Sequence, residues 1–176
     1  MEPAELEARI NKTIDFWLSG LQHYSMEELL AKPADDVWSV GQVYIHLWMS
    51  AKGFFLKNVQ RIIANENTTR GRKNLAGWAV FTFGFFPAVK VKMPASVAVQ
   101  PNQPESKEQI VRKMTEIKTL AAQYAAQLNT PDKGLKTKHP FLGHLNAEEW
   151  LRLCELHCNH HKAQIKRIDT ALGRKK

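Results

Sequence analysis

Cysteine is scarce in this sequence. Cys154 and Cys158 are the only two, four residues apart on one predicted helix, where the sulfurs of a continuous helix are poorly placed to form a disulfide. They read as reduced thiols packed as small apolar side chains. Cys154 falls on the histidine side of its helix and so stays a candidate for a functional thiol. Long apolar runs are missing as well: the longest, residues 75–89 (LAGWAVFTFGFFPAV), holds two glycines and a proline and is too short for a membrane span. The N-terminus, MEPAELEARINKTIDF, is charged where a signal peptide needs an apolar stretch. A cytoplasmic protein with no membrane partner is the expectation. Strand-like alternation nowhere extends beyond a few residues, which points to an all-α fold. Aromatics interleaved with cations are lacking too. Arg70, Arg72, Lys73, Lys90, Lys92, Lys133, Lys136, Lys138, Arg174, Lys175 and Lys176 are scattered, so the net charge of +8 reads as solvated surface and nucleic acid is not an expected partner.

What remains is an ordinary globular composition, 44% hydrophobic and 24% charged over 176 residues. One domain, residues 1–176, is expected, long enough to build a core without a metal staple. A metal, if bound, is therefore free to be functional.

Four segments carry helical periodicity with recognisable ends. Helix 1 starts near Pro3, aligns Leu6, Ile10, Ile14, Trp17, Leu21 and Tyr24, and is expected to run to Lys32-Pro33. Helix 2 starts at Ser39, with Gln42 three residues later, and runs to about Asn65; helix 3 starts at Ser106 with Gln109; helix 4 starts at Asn146 with Glu149 and ends at Leu172 before Gly173. Each start has the spacing of a capping box. About eight residues join helices 1 and 2, against some forty between helices 2 and 3, and a crossover of that length lets two consecutive helices run parallel. Trp78, Phe81, Phe83, Phe85 and Phe86 predict a short helix packed over the bundle, and residues 93–104 (MPASVAVQPNQP) read as extended. Helix 2 is apolar nearly all round. Either a homodimer or the crossover's phenylalanines would cover it.

Seven histidines occur, five of them between His139 and His161. At 100° per residue, Trp150, Leu153, Cys154, His161, Gln164, Ile168 and Leu172 all fall within about 60° of His157. His157 and His161 thus share the buried stripe, with His160 at its edge. Two imidazoles one turn apart in an apolar face are either a hydrogen-bonded core pair or two ligands of one ion. A third ligand has to come from another helix, and His46 is the natural candidate. It stands in a narrow polar stripe on helix 2 (Gln42, His46, Ser50, Gly53, Lys57, Gln60) that faces either water or a polar cavity; Ser50 and Gly53 favour the cavity, Lys57 and Gln60 the solvent. His23, His139 and His144 read as surface or turn residues.

The start of helix 2, W-S-x-G-Q-V-x-x-H-L (Trp38, Ser39, Gln42, His46), and the H-x-x-x-H-x-x-Q-I of helix 4 (His157, His161, Gln164, Ile165) resemble the DinB/YfiT-like superfamily of metal-dependent bundles. The resemblance extends over the order of elements, including the long crossover. It implies a four-helix bundle of up-down-down-up topology and a divalent ion, nickel or zinc, on His46, His157 and His161, with His160 at the rim. It resolves the helix 2 stripe in favour of a cavity. Characterised relatives are S-transferases using bacillithiol or another low-molecular-weight thiol, and a mycothiol-dependent isomerase. The resemblance thus implies a small-molecule substrate and a thiol cofactor, with a non-catalytic metal- or small-ligand-binding protein as the alternative. Lys57 or Arg61 is a candidate to hold the carboxylates of such a thiol.

Overall fold

Proline in the first turn, where its missing N–H costs no hydrogen bond, opens the first helix of the computed structural model, which describes residues 1–86 and 100–174. In that helix, α1 (Pro3–Leu21), Leu6, Ile10, Ile14, Trp17 and Leu21 are buried along one face as the periodicity requires. The helix stops earlier than expected. Ser25 accepts a hydrogen bond from the Glu28 backbone N–H while the Glu28 carboxylate accepts from Ser25 N–H, and this unforeseen capping box starts a separate short helix, α2 (Met26–Leu30). Tyr24, freed from the helix, turns inward and donates from its hydroxyl to Asp169 at 2.8 Å.

Helix 2 of the sequence reading is one rod with an irregular middle: α3 (Val40–Ser50), a π-helical segment (Ala51–Leu56) and α4 (Lys57–Ile63). Its apolar girth is covered within the chain, with Val43, Leu47, Leu56 and Val59 all buried. The crossover carries the expected short helix, α5 (Leu75–Phe83), capped by Asn74. The extended reading of residues 93–104 lies, for positions 93–99, outside the described residues. Ser106 caps α6 (Lys107–Ala125), but Gln109 accepts from Glu105 N–H and so completes no reciprocal box. Before α7 (Ala147–Ala171) two strands of three residues, β1 (Thr137–His139) and β2 (Gly143–Leu145), pair antiparallel. Strands this short lie below what alternation can signal.

Helix directions follow from which residues meet. Met1 bonds Glu148, Arg9 bonds Glu155 and Tyr24 bonds Asp169, so α1 and α7 run parallel. Ser39 meets Gln103 and Trp48 meets Glu116, so α3 and α6 run parallel. Asp15 pairs with Lys118 while the Tyr24 carbonyl accepts from Lys107, which makes α1 and α6 antiparallel. The bundle is up-down-down-up. Trp150, Leu6, Ile10, Leu47, Met114 and Ile117 are among its fully buried side chains, and among the described residues no helix is long and apolar enough to cross a membrane.

Candidate metal centre

The chain brings His46 to its neighbours by clamping the start of α3. Trp38 Nε1–H donates to Gln100 at 3.0 Å, Ser39 Oγ–H donates to Gln103 at 2.7 Å, and Gln42 Nε2–H donates to the Pro101 carbonyl at 2.8 Å. Gly41 completes the clamp: a Cβ there would lie 2.7 Å from Pro104 and 2.8 Å from the Leu29 carbonyl oxygen. The W-S-x-G-Q run is thus a fastening for the returning crossover, and Trp38 also lays its ring 4.8 Å from that of His46.

Two turns into α3, His46 faces α7. Its Nε2 stands 3.3 Å from His157 Nε2, which in turn stands 3.1 Å from His161 Nε2. Ligand atoms of the three residues all lie within 4.8 Å of one another, a grouping that could hold one metal ion. Nitrogens bound at ~2.0–2.1 Å are separated by about 3.3 Å in a tetrahedral shell and about 2.9 Å in an octahedral one, and the edges of 3.3 and 3.1 Å fall within that range. Hydrogen bonding alone serves this arrangement poorly. A single in-plane proton on His157 Nε2 cannot point at both neighbours, whereas a cation among the three satisfies every lone pair. His161 Nδ1–H donates to Gln164 Oε1 at 2.6 Å, which fixes the tautomer and leaves Nε2 free to bind.

Burial keeps these imidazoles neutral, the form a metal needs. It pushes His46 down to about 3, helped by His161. It pushes His161 down to about 4 against the opposing bond to Gln164, and drives His157 well below the usual range together with the other imidazoles. A histidine pKa lowered on folding means that the unfolded chain binds the proton and the folded one does not. The stability is therefore complete above about 6.5 and lost as pH falls from there through about 4. Chelator-treated protein is expected to lose about 1 kcal/mol for each such imidazole by pH 5.5, read as a falling Tm between pH 7.5 and 5.5 and a flat one from 7.5 to 8.5; a Tm indifferent to acid would contradict the buried neutral triad.

The other candidates separate cleanly. His160 is exposed, 5.3 Å ring to ring from His161 and 5.8 Å from Phe86, a rim position. His139 is no turn residue. It is buried in β1 against Trp150, 5.2 Å between ring centroids. His144, in β2, lies against Gly71, and His23 is exposed beyond α1. Both cysteines are buried; burial raises the Cys154 thiol well above its usual range and pushes Cys158 up to about 12, so neither supplies a thiolate.

Lys57 and Arg61 do not serve the site. They lie eleven and fifteen residues beyond His46, about 16 and 22 Å along the axis at ~1.5 Å per residue. The π segment also turns them off the His46 face by roughly one residue's rotation, which leaves Lys57 and Gln60 exposed. That segment splits the polar stripe of helix 2: Gln42 and His46 turn inward onto the crossover and α7, while Lys57 and Gln60 face water. Asn58 keeps it in place by donating from Nδ2 to the Phe54 carbonyl at 2.8 Å and accepting from Thr137 at 2.9 Å. Through it Phe55 reaches His157, 5.1 Å ring to ring, a wall of the site that the sequence signalled only by a glycine in mid-helix, Gly53. A cavity of about 400 Å³ between α3 and α6, lined by Trp48, Gln109, Arg112, Lys113 and Glu116, includes none of the triad.

Comparison with known proteins bears on the fold and the family. No curated protein matches the chain. Among solved structures, YfiT from Bacillus subtilis, described as a probable metal-dependent hydrolase with an unusual four-helix bundle topology, matches with a TM-score of 0.59 over 98% of this chain and 89% of its own, at 16% identity. A likeness at that identity is one of fold. The family model of the DinB superfamily matches residues 3–165, from the first turn of α1 to the residue after Gln164. A match of that extent takes in all four long helices and the crossover, and the chain belongs to the DinB superfamily.

Proposed function

We propose that the chain is a divalent-metal-dependent enzyme whose ion is held by His46, His157 and His161, and that it activates a low-molecular-weight thiol for transfer to a small electrophile. The observation that carries this reading is the donor set: three neutral imidazoles, with no carboxylate or thiolate converging on them among the described residues. Such a set leaves the full charge of an ion in place and at least one position open. When bound, a divalent ion there supplies the positive charge that lowers the pKa of a thiol or water brought to it.

The chain's own residues orient and shield. Gln164 holds the His161 ring, while Trp38 and Phe55 pack against His46 and His157 and keep water from the flanks. With Cys154 and Cys158 both buried, the reacting sulfur comes from outside. A thiol deprotonated in this way needs no general base, in keeping with a cluster that holds no carboxylate among the described residues. Nickel and zinc both suit an imidazole set, as do cobalt and iron, and availability chooses among them.

A hydrolase, the description given to YfiT, is the second reading. His160 favours it: its imidazole stands at the rim, 5.3 Å ring to ring from His161, a position from which a general base takes a proton from water. The deciding experiment is elemental analysis of protein purified without chelator, followed by turnover assays pairing bacillithiol, mycothiol or glutathione with alkyl halides and epoxides, and separate assays with esters and amides. About one ion per chain with thiol-dependent loss of electrophile supports transfer. Ester cleavage without thiol supports hydrolysis; saturable thiol binding without turnover supports the non-catalytic alternative. Gln164→Leu is expected to lower metal affinity about 10- to 100-fold with little change in the fold, measured by competition with a chromogenic chelator; unchanged affinity would remove Gln164 from the site.

A further inference from the structure

Among the described residues, helix α5 is fastened by one face and bare on the other. Asn74 N–H donates to the Leu142 carbonyl at 3.2 Å and Asn74 Nδ2–H to the Phe141 carbonyl at 2.9 Å. Gly77 lies so close to the hairpin that a Cβ would stand 2.2 Å from the Leu142 oxygen. At the other end Arg152 donates to the Phe81 carbonyl at 3.0 Å. Gly77 and Val80 are buried by this docking. The opposite face carries Leu75, Ala76, Trp78, Thr82 and Phe83, all exposed, and Phe85 continues it. Leu75 is 80% exposed, Phe83 64% and Trp78 55%. No charged side chain interrupts the helix. Nine residues are far too few to span a bilayer, but an apolar helix face rich in Trp and Phe is suited to lie in its interface.

Charge indicates what the face meets. Between Glu66 and Glu105 the sequence has no acidic residue and five cations, Arg70, Arg72, Lys73, Lys90 and Lys92. Among the described residues, the strip that leads into α5 bridges to the hairpin at Thr69 with Lys136 and Lys73 with Gly143. This gathers Arg70, Arg72, Lys73, Lys136 and Lys138 at the root of the helix. Arg70 pairs with Asp132 and Lys73 with Glu149, which leaves a cationic excess carried by exposed Arg72 and Lys138 and by Lys136. A second copy docked face to face would bring these like charges together. An anionic lipid surface would neutralise them.

We propose that α5 and the basic strip at its root form a docking surface for anionic phospholipid bilayers, with Leu75, Trp78 and Phe83 entering the interface and Arg72 among the headgroups. The proposal stands apart from the metal reading, because no ligand of the triad belongs to this surface.

The test is flotation of the full-length protein, with EDTA present throughout, on vesicles of phosphatidylcholine alone and of phosphatidylcholine with one part in three of phosphatidylglycerol. Recovery with the anionic vesicles in 50 mM NaCl, its loss in 500 mM, and little recovery with phosphatidylcholine alone are expected. Trp78→Ser/Phe83→Ser, both at exposed positions, should weaken binding more than tenfold, and Arg72→Glu roughly thirtyfold for two charges near the surface, each with an unchanged circular dichroism spectrum. Absence of binding to anionic vesicles at low salt overturns the proposal, as does wild-type binding by the double variant. Sedimentation of the wild type as a dimer that Trp78→Ser/Phe83→Ser dissociates assigns the face to a second copy and overturns it as well.

Discussion

His157→Ala is expected to abolish metal binding, and to do so more completely than substitution of any residue around the triad. His157 is the middle member, with its Nε2 3.3 Å from that of His46 and 3.1 Å from that of His161. Without it the two outer imidazoles, 4.7 Å apart ring to ring, offer an ion only two nitrogens. Loss of a direct ligand should exceed the ~10–100-fold typical of an outer-shell contact and leave purified protein with no ion by elemental analysis. His46→Ala and His161→Ala should behave alike, while His160→Ala keeps the ion. The fold should survive all four, since the core of Leu6, Ile10, Leu47, Met114 and Ile117 does not include them. What disappears is the rise in Tm on adding metal, because only a ligand bound to the native state stabilises it. A stoichiometric ion retained by His157→Ala would refute the triad.

Trp150→Ala is expected to cost about 3–5 kcal/mol, the range for removing a large buried aromatic. Trp150 is fully buried and meets Phe54 edge to face at 5.1 Å, His139 at 5.2 Å and Phe55 at 6.4 Å. Phe55 also lies against His157, so the cavity opened by this change borders the site. Denaturant unfolding should show the full loss in midpoint, and metal affinity should fall even where the protein is still folded. Trp150→Phe is the informative partner. The indole N–H of Trp150 finds no acceptor among the described residues, so the smaller ring removes an unsatisfied donor while filling part of the space and should cost far less. Equal costs for the two substitutions would contradict this account of the packing.

The parts of the molecule legible in the sequence are those governed by local rules. Ser39 with Gln42 and Asn146 with Glu149 mark helix starts because their side chains complete reciprocal caps within four residues. His157 and His161 could be paired because helical phase alone puts them on one stripe. His46 could not be joined to them that way, since phase leaves its stripe facing either water or a cavity; the family resemblance made the link. Features set by contacts distant in sequence stayed hidden. Tyr24 leaves α1 for Asp169, 145 residues away. His139 is buried by Trp150 on the following helix, and the β-hairpin that carries it is too short for alternation to register. The π segment depends on Asn58 meeting Thr137, which no local pattern announces.

That segment has a mechanical consequence. A regular α-helix is a rigid shaft, so a residue inserted or deleted anywhere along it turns one end against the other by about 100°. The wide turn at Ala51–Leu56 is an offset coupling built into the shaft: its N-terminal half is indexed to the histidines of α7, and its C-terminal half, through Asn58, to the hairpin. Deleting exposed Gly53 would take the extra residue out of the wide turn and restore a regular shaft. The two halves would then share one phase, and either His46 or Asn58 would face the wrong way.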